Sequence, residues 1–269
     1  MLNERPMRKF SAFLCVLLAG SGFAFGGTAV MSSGKEMKQV APMPPPCPNW
    51  SGVYVGLSGG WDYGVVNTGL GLGGDWNSFT SARDTIESNS DDFSFSGGDV
   101  GGVLGYNYVV HNWLFGAEVA GGGLWLRDSD SSGAFTTNIA DYDLTESFKT
   151  HWRMTFGPRI GYTFCKWMPY VTGGLAVGDL EYFQKLNQLP PAPEFHQLGD
   201  VHDTNVGWMV GGGLEYAVTN HWRVRGQYQY IDLGSVGFHS IGNDSNNFTG
   251  SHGASLHEHS AQFAIIYGF

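Results

Sequence analysis

Strict alternation at the C-terminus limits this chain more than any other feature. In the last stretch, Ser255 to Phe269, the residues Ala261, Phe263, Ile265, Tyr267 and Phe269 share one face. Ser260, Gln262, Ala264, Ile266 and Gly268 share the other. A period of two is a strand, because successive Cβ atoms point to opposite sides. A strand that is aromatic and branched on one face up to its last residue suits the wall of a closed barrel with lipid outside.

Seven more segments alternate in the same way. They run over 50–62 (Val53, Val55, Leu57 and Trp61 aligned), 99–110 (Val100, Leu104, Tyr106, Tyr108), 113–123 (Trp113, Phe115, Ala117, Val119) and 148–164 (Trp152, Met154, Phe156, Ile160, Tyr162). The others are 169–180 (Val171, Leu175, Val177), 204–218 (Val206, Trp208, Val210, Leu214, Tyr216, Val218) and 222–233 (Trp222, Val224, Tyr228, Tyr230). Their connections alternate in length. His111–Asn112, 165–168 and 219–221 are tight turns, whereas 63–98, 124–147, 181–203 and 234–254 are long. Short turns at one end and long polar connections at the other are the layout of a membrane barrel, whereas Greek-key crossings would mix the two ends. The expected fold is therefore all-β, an eight-stranded antiparallel up-and-down transmembrane β-barrel over residues 50–269.

Composition removes competing classes. Aromatic residues make up 14% of the 269 residues, too many for an acidic disordered chain. No apolar run reaches the roughly 18 residues that a membrane-crossing helix needs. A net charge of −10 without a basic stripe argues against nucleic acid. Gly69 to Gly74 is rich in glycine but lacks the Lys and Ser/Thr of a phosphate loop. His259 and Ser260 face opposite ways on a strand and make a poor base–nucleophile pair, so no enzyme activity is expected. No cofactor is expected either.

The N-terminus reads as an export signal over residues 1–26. Arg5, Arg8 and Lys9 precede an apolar stretch from Phe10 to Leu18 and then small residues, with cleavage after Gly26 or Ala29. Residues 27–49 read as a periplasmic lead, since Pro42, Pro44, Pro45, Pro46 and Pro48 favour an extended path.

Strand parity selects the candidate functional residues. Glu118, Arg153, Arg159, Glu215, Arg223 and Arg225 fall on the lumen face, where charges must pair. Either they plug the interior or they line a narrow ion path. An aromatic belt is expected at the turn end from Trp50, Tyr108, Trp113, Tyr162, Tyr170, Tyr216, Trp222 and Phe269, although Trp50 and Tyr170 fall off the lipid-facing parity. His196 and His202 lie in the third long connection, and His239, His252, His257 and His259 in or beside the fourth. His257 and His259 share a face, a spacing that allows two imidazoles to reach one metal ion. The acids Asp75, Asp84, Glu87, Asp91 and Asp92 read as a solvated face of the first connection. Cys47 and Cys165 are both expected at the turn end, where a bridge, free thiols or intermolecular pairing are all open.

Several segments together resemble a known family. They are W-S-G-V-Y-V-G at 50–56, G-G-V-L-G-Y-N-Y at 101–108, F-G-A-E-V at 115–119 and P-Y-V-T-G-G-L-A-V-G at 169–178. V-G-W-M-V-G-G-G-L-E-Y at 206–216 and R-G-Q-Y-Q-Y-I-D-L-G at 225–234 complete the set. This is similar to the porin-like and opacity-like outer-membrane β-barrel proteins of Gram-negative bacteria, and Phe269 resembles their assembly signal. The resemblance implies location in the cell outer membrane. It also implies contact with outer-membrane lipids and lipopolysaccharide, and handling by the barrel-assembly machinery. It leaves three roles open: a structural or surface-antigen role through four extracellular loops, a low-conductance porin, or a haem or metal receptor using loop histidines.

Overall fold

The computed structural model describes residues 47–90, 92–190, 195–242 and 247–269. The signal segment 1–26 and most of the lead 27–49 lie outside the described residues, as does Asp91. Eight strands form the wall: β1 (Gly52–Gly74), β2 (Phe93–Val110), β3 (Trp113–Thr136), β4 (Asp141–Tyr162), β5 (Trp167–Gln188), β6 (His196–Ala217), β7 (Trp222–Ile241) and β8 (Phe248–Gly268). Each pairs antiparallel with its sequence neighbours, and β1 closes on β8, giving a barrel in sequence order. The tight turns stand where expected, with His111 and Cys165 taking positive φ.

The long connections are corrected. The strands run 18 to 24 residues, about twice the 9–11 needed to cross a bilayer. What the sequence offers as long loops is mostly more strand. The remaining connections are 75–92, with a 3-10 turn and helix α1 (Thr80–Glu87), then 137–140, 189–195 and 242–247.

The reason is a change of solvent along each strand. Near the turns the outward face is apolar: Phe156, Val171, Leu175, Phe263 and Ile265 are exposed, while Arg159, Thr172 and Glu215 point inward and are buried. Farther up, the outside is water, and the apolar face turns inward. Tyr142, Leu144, Phe148, Leu180, Tyr182, Leu186 and Leu256 are all buried there. We call this upper part the crown. A search for one continuous apolar face stops where the sense inverts.

Two mechanisms produce the inversion. In β5 and β8 the hydrophobic pattern itself slips by one residue while the inward parity stays even. In β4 and β7 a β-bulge turns the strand instead, at Lys149/Arg153 and at Asp232/Ser235. Apolar residues in β4 stay on even numbers, yet they face outward below His151 and inward above it.

In the crown the wall divides. Pairing between β2 and β3 stops at Asp99↔Leu124, and between β6 and β7 at Trp208↔Asp232. Among the described residues, one sheet is then β3–β6 and the other β7–β8–β1, to which β2 stays paired from Gly98 up to Phe93, opposite Val66. They face each other across a cluster that includes Val66, Phe95, Phe148, Leu180, Tyr182, Ile231 and Leu256. A second cluster at the tip joins Leu72, Trp76, Ile86, Tyr142, Leu144, Leu186 and Phe195. Fully burying one such side chain contributes about 1.5–3 kcal/mol, so the crown holds itself together without lipid.

Candidate functional site

The lumen is stacked in layers. In the lower layer Arg159 donates to Glu118 at 2.9 Å and to Glu215 at 2.5 Å, and Arg225 donates to Glu118 at 2.6 Å and Glu215 at 3.0 Å. The hydroxyl of Tyr54 donates to Glu118 at 2.5 Å, and both guanidiniums lie over the Tyr170 ring, at 4.2 and 5.3 Å. Two cations and two anions cancel; both oxygens of Glu118 are engaged, whereas Arg159 and Arg225 converge on one oxygen of Glu215 and leave its other oxygen without a partner among the described residues.

A second layer lies nearer the crown. Arg153 donates to Glu258, and its other amino group lies 3.4 Å from both Asp62 and Ser260. Asp99 accepts from Gln262 at 2.9 Å. The expected set of six charges therefore separates. Glu118, Arg159, Glu215 and Arg225 come together, while Arg153 belongs to a layer of its own. Arg223 forms no ion pair among the described residues. It donates to the Asn49 carbonyl at 3.0 Å and lies 4.7 Å from the Trp50 ring.

That contact closes the turn-end mouth. Trp50 donates to the Cys165 carbonyl at 2.8 Å, and a Cys47–Cys165 disulfide ties the lead to the turn between β4 and β5. Trp50 and Tyr170 leave the expected aromatic belt. They are 4% and 5% exposed and pack among the lumen cations, as their parity requires. Tyr108, Trp113, Trp222 and Phe269 stay outside and exposed, and Tyr162 and Tyr216 are half-buried.

A second belt, which the sequence reading missed, consists of Trp61, Trp125, Trp152 and Trp208, all exposed and outward. Trp152 and Tyr162 are ten positions apart on β4. At about 3.4 Å per residue and a tilt of roughly 40°, this is about 25 Å, the height of an apolar band.

Above the second belt the interior is apolar and then polar again. In the crown, Glu146 accepts from Tyr182 at 2.8 Å and from Gln184. Gln184 in turn meets His252, which lies 2.5 Å from the Ser240 hydroxyl. Gln197 donates to Ser240 at 2.9 Å and accepts from the Trp76 indole at 3.3 Å. Burial, helped by nearby His239, pushes the His252 imidazole down to about 4. Ser240 and His252 are both buried, and their hydrogen bonds form a relay that runs from β4 toward the tip.

The expected metal pair, His257 and His259, shares the outward face, and Nδ1 of each ring meets a tyrosine hydroxyl, Tyr230 at 3.2 Å for His257 and Tyr228 at 2.7 Å for His259. Asp232 lies 3.5 Å from His257. No group of three or more His, Cys, Asp or Glu side chains among the described residues could hold a metal ion. The first-connection acids are likewise more than a solvated face. Glu87 and Asp92 accept from the backbone of Leu72 and Thr68, at 2.7 and 3.0 Å, and cap the β1 edge where it has left β2.

One carboxylate shapes the β4 bulge. Asp179 accepts from the backbone of His151 at 2.8 Å and of Trp152 at 2.9 Å, from the Thr150 hydroxyl, and from His151 Nδ1 at 2.7 Å. It is 3% exposed, and both His151 and Trp152 are turned outward.

Tyr54, Asp62, Asp99 and Glu258 also escaped the sequence reading. Parity carried the signal for all of them, since each alternates with a lipid-facing residue of its strand.

Residues 48–269 match the family described as outer membrane protein beta-barrel domain. The 31 kDa outer-membrane immunogenic protein of Brucella melitensis is 30% identical over 224 residues, covering 81% of this chain and 87% of that one. The 22 kDa outer membrane protein of Rhizobium leguminosarum is 28% identical over 197 residues, covering 73% and 70%. Among solved structures, Ail, the attachment invasion locus protein of Yersinia pestis, aligns over 79% of this chain and 99% of its own, with a TM-score of 0.31 and 14% identity. The Brucella and Rhizobium relatives are named as outer-membrane proteins, and the belts and the inverted lumen of this chain fit the same setting. The chain belongs to the outer-membrane β-barrel family and is an integral protein of the cell outer membrane.

Proposed function

We propose that this protein works from its outer surface, as a structural and surface-interaction barrel, and that it is not a pore. The observation that carries this reading is the filled interior. Two ion layers, two apolar clusters and the Trp50 closure occupy the lumen between its ends. The cavities between the ion layers are only about 20 and 10 Å³, space for single waters. Partners are left with the outside of the crown, where the hairpin tips and α1 face water. The immunogenic names of the Brucella relatives support exposure of such a surface. In this reading the short turns face the periplasm, and Phe269 is the handle for the barrel-assembly machinery.

Two measurements test the proposal. Refolded protein in planar bilayers should stay silent at every voltage the bilayer tolerates, and discrete conductance steps would overturn it. A membrane-impermeant amine label on intact cells should reach Lys185 and not Lys166. The reverse pattern would place the crown inside and remove the surface role.

A further inference from the structure

The upper ion layer is out of balance. Asp62 on β1, Asp99 on β2 and Glu258 on β8 bring three carboxyl groups to one cation, Arg153 on β4. All four side chains are more than nine-tenths buried. Fully ionised, three carboxylates against one guanidinium leave two negative charges inside the barrel, where charge without a counter-ion is costly. The lower layer, with two charges of each sign, has no such excess.

The hydrogen bonds fall short by the same number. Asp62 lies within hydrogen-bonding reach of Asp99 on one side and of Glu258 on the other. Two carboxylates have only acceptors to offer each other. Arg153 and Gln262 serve one oxygen of each group. The other three, Asp62 Oδ2, Asp99 Oδ1 and Glu258 Oε2, are buried with no donor among the described residues. A water molecule, for which the adjoining cavity of about 20 Å³ has room, brings hydrogens but no charge. Two protons remove both deficits.

We propose that this layer is a binding site for two protons, one on Asp99 Oδ1 and one on Glu258 Oε2, both donated to Asp62, which stays the single carboxylate opposite Arg153. The set is then neutral and each of the three oxygens has a partner. The other groups around it carry no charge: Ser260 and Gln262 of β8, Thr155 of β4, Gln229 of β7 and the Gly121–Leu124 stretch of β3. Met209 of β6 meets Gln229, and Asp179, next to the Arg153 partner Gly178 on β5, is engaged by the β4 bulge. Asp99 ends the pairing of β2 with β3, at the level where the wall divides. The loaded layer therefore ties β1, β2, β4 and β8 together beneath the crown, and its loss of protons loosens the crown from the barrel.

The double variant Asp99→Asn, Glu258→Gln tests the site. Each amide puts a fixed hydrogen where a proton is held, and one carboxylate still faces Arg153. Folding is first checked by the heat-dependent shift in gel mobility. Free carboxyls lose their protons near pH 4, so above that range unfolding of the wild type releases protons that the folded layer keeps. The stabilisation is complete below this range and is lost as the pH rises. His252 in the crown shifts the balance in the opposite sense, equally in both proteins, and cancels in the comparison.

From pH 5 to pH 6 the unfolding constant in urea should rise about 100-fold more for the wild type than for the double variant, and about tenfold more than for either single variant. Infrared spectra give a reading that does not depend on unfolding. At pH 6 the folded wild type should show a carboxylic-acid C=O stretch, sensitive to deuterium exchange, that the double variant lacks. Parallel pH dependences of wild type and double variant overturn the proposal, and so does a wild type without the carboxylic-acid band. Calcium chloride that raises the wild-type unfolding midpoint and not the variant's also overturns it, by putting a metal cation where the protons are placed.

Discussion

Replacing Asp179 by alanine removes the acceptor around which β4 turns inside out. The buried carboxylate holds the backbone N–H groups of His151 and Trp152, the Thr150 hydroxyl and His151 Nδ1. Without it, two backbone donors at the bulge lose their partner, and each unsatisfied buried donor costs about 1–3 kcal/mol. His151 is exposed and water replaces its contact, so it adds little. The expected loss is about 2–5 kcal/mol. With a urea slope of roughly 2–3 kcal/mol per molar, the unfolding midpoint falls by about 1–2 M. Tryptophan fluorescence during urea unfolding in phospholipid vesicles reads this directly, because Trp152 stands at the bulge. Asp179→Asn keeps one acceptor oxygen and should lose about half as much. If Asp179→Ala unfolds at the wild-type midpoint, the carboxylate does not hold the bulge, and the account of how β4 changes faces is wrong.

Other outcomes follow from the lumen and the crown. Glu215→Ala leaves Arg159 and Arg225 facing each other with one carboxylate fewer, and should cost about 3–5 kcal/mol. Arg83→Ala, which breaks an exposed pair with Asp84, should cost less than about 1 kcal/mol. Unreduced protein should show no thiol at Cys47 or Cys165, and Cys47→Ser should lower stability by about 2–4 kcal/mol, given the 118-residue separation that the bridge spans. His252 has a folded pKa near 4, below the ordinary 6.5, so the unfolded chain binds the proton first. Stability should hold above pH 6.5 and fall as the pH drops toward 4. His252→Gln should flatten that decline, as read by crown proteolysis across the pH range.

The membrane-spanning half was legible because lipid imposes one rule on every strand. Glu118, Arg159, Glu215 and Arg225 could be placed inside from parity alone, and Trp113 and Trp222 outside. Parity also marked Trp50 and Tyr170 as poor members of the belt, and they are lumen residues. The crown was hidden because its apolar residues obey the opposite rule. Tyr142, Leu144 and Phe148 alternate as cleanly as Met154 and Phe156 on β4, but a bulge of one residue, invisible in the hydrophobic pattern, exchanges their faces. The pairing of Arg153 with Glu258 and Asp62 was out of reach for a related reason. Glu258 sat in what read as the outer rim, between two histidines that drew attention to the other face.

A nitroxide scan along β4 from Tyr142 to Tyr162, reading accessibility to oxygen and to a water-soluble relaxant, tests the central claim most directly. Labels at Met154, Phe156 and Ile160 should meet oxygen in the bilayer, and labels at Arg153 and Arg159 should meet neither probe. Above His151 the sense should exchange, with Asp143, Thr145 and Ser147 open to the water-soluble probe and Leu144 and Phe148 shielded. If even-numbered positions stay outward all the way from Ile160 to Leu144, the strand does not turn its apolar face inward on leaving the membrane, and the filled crown does not exist.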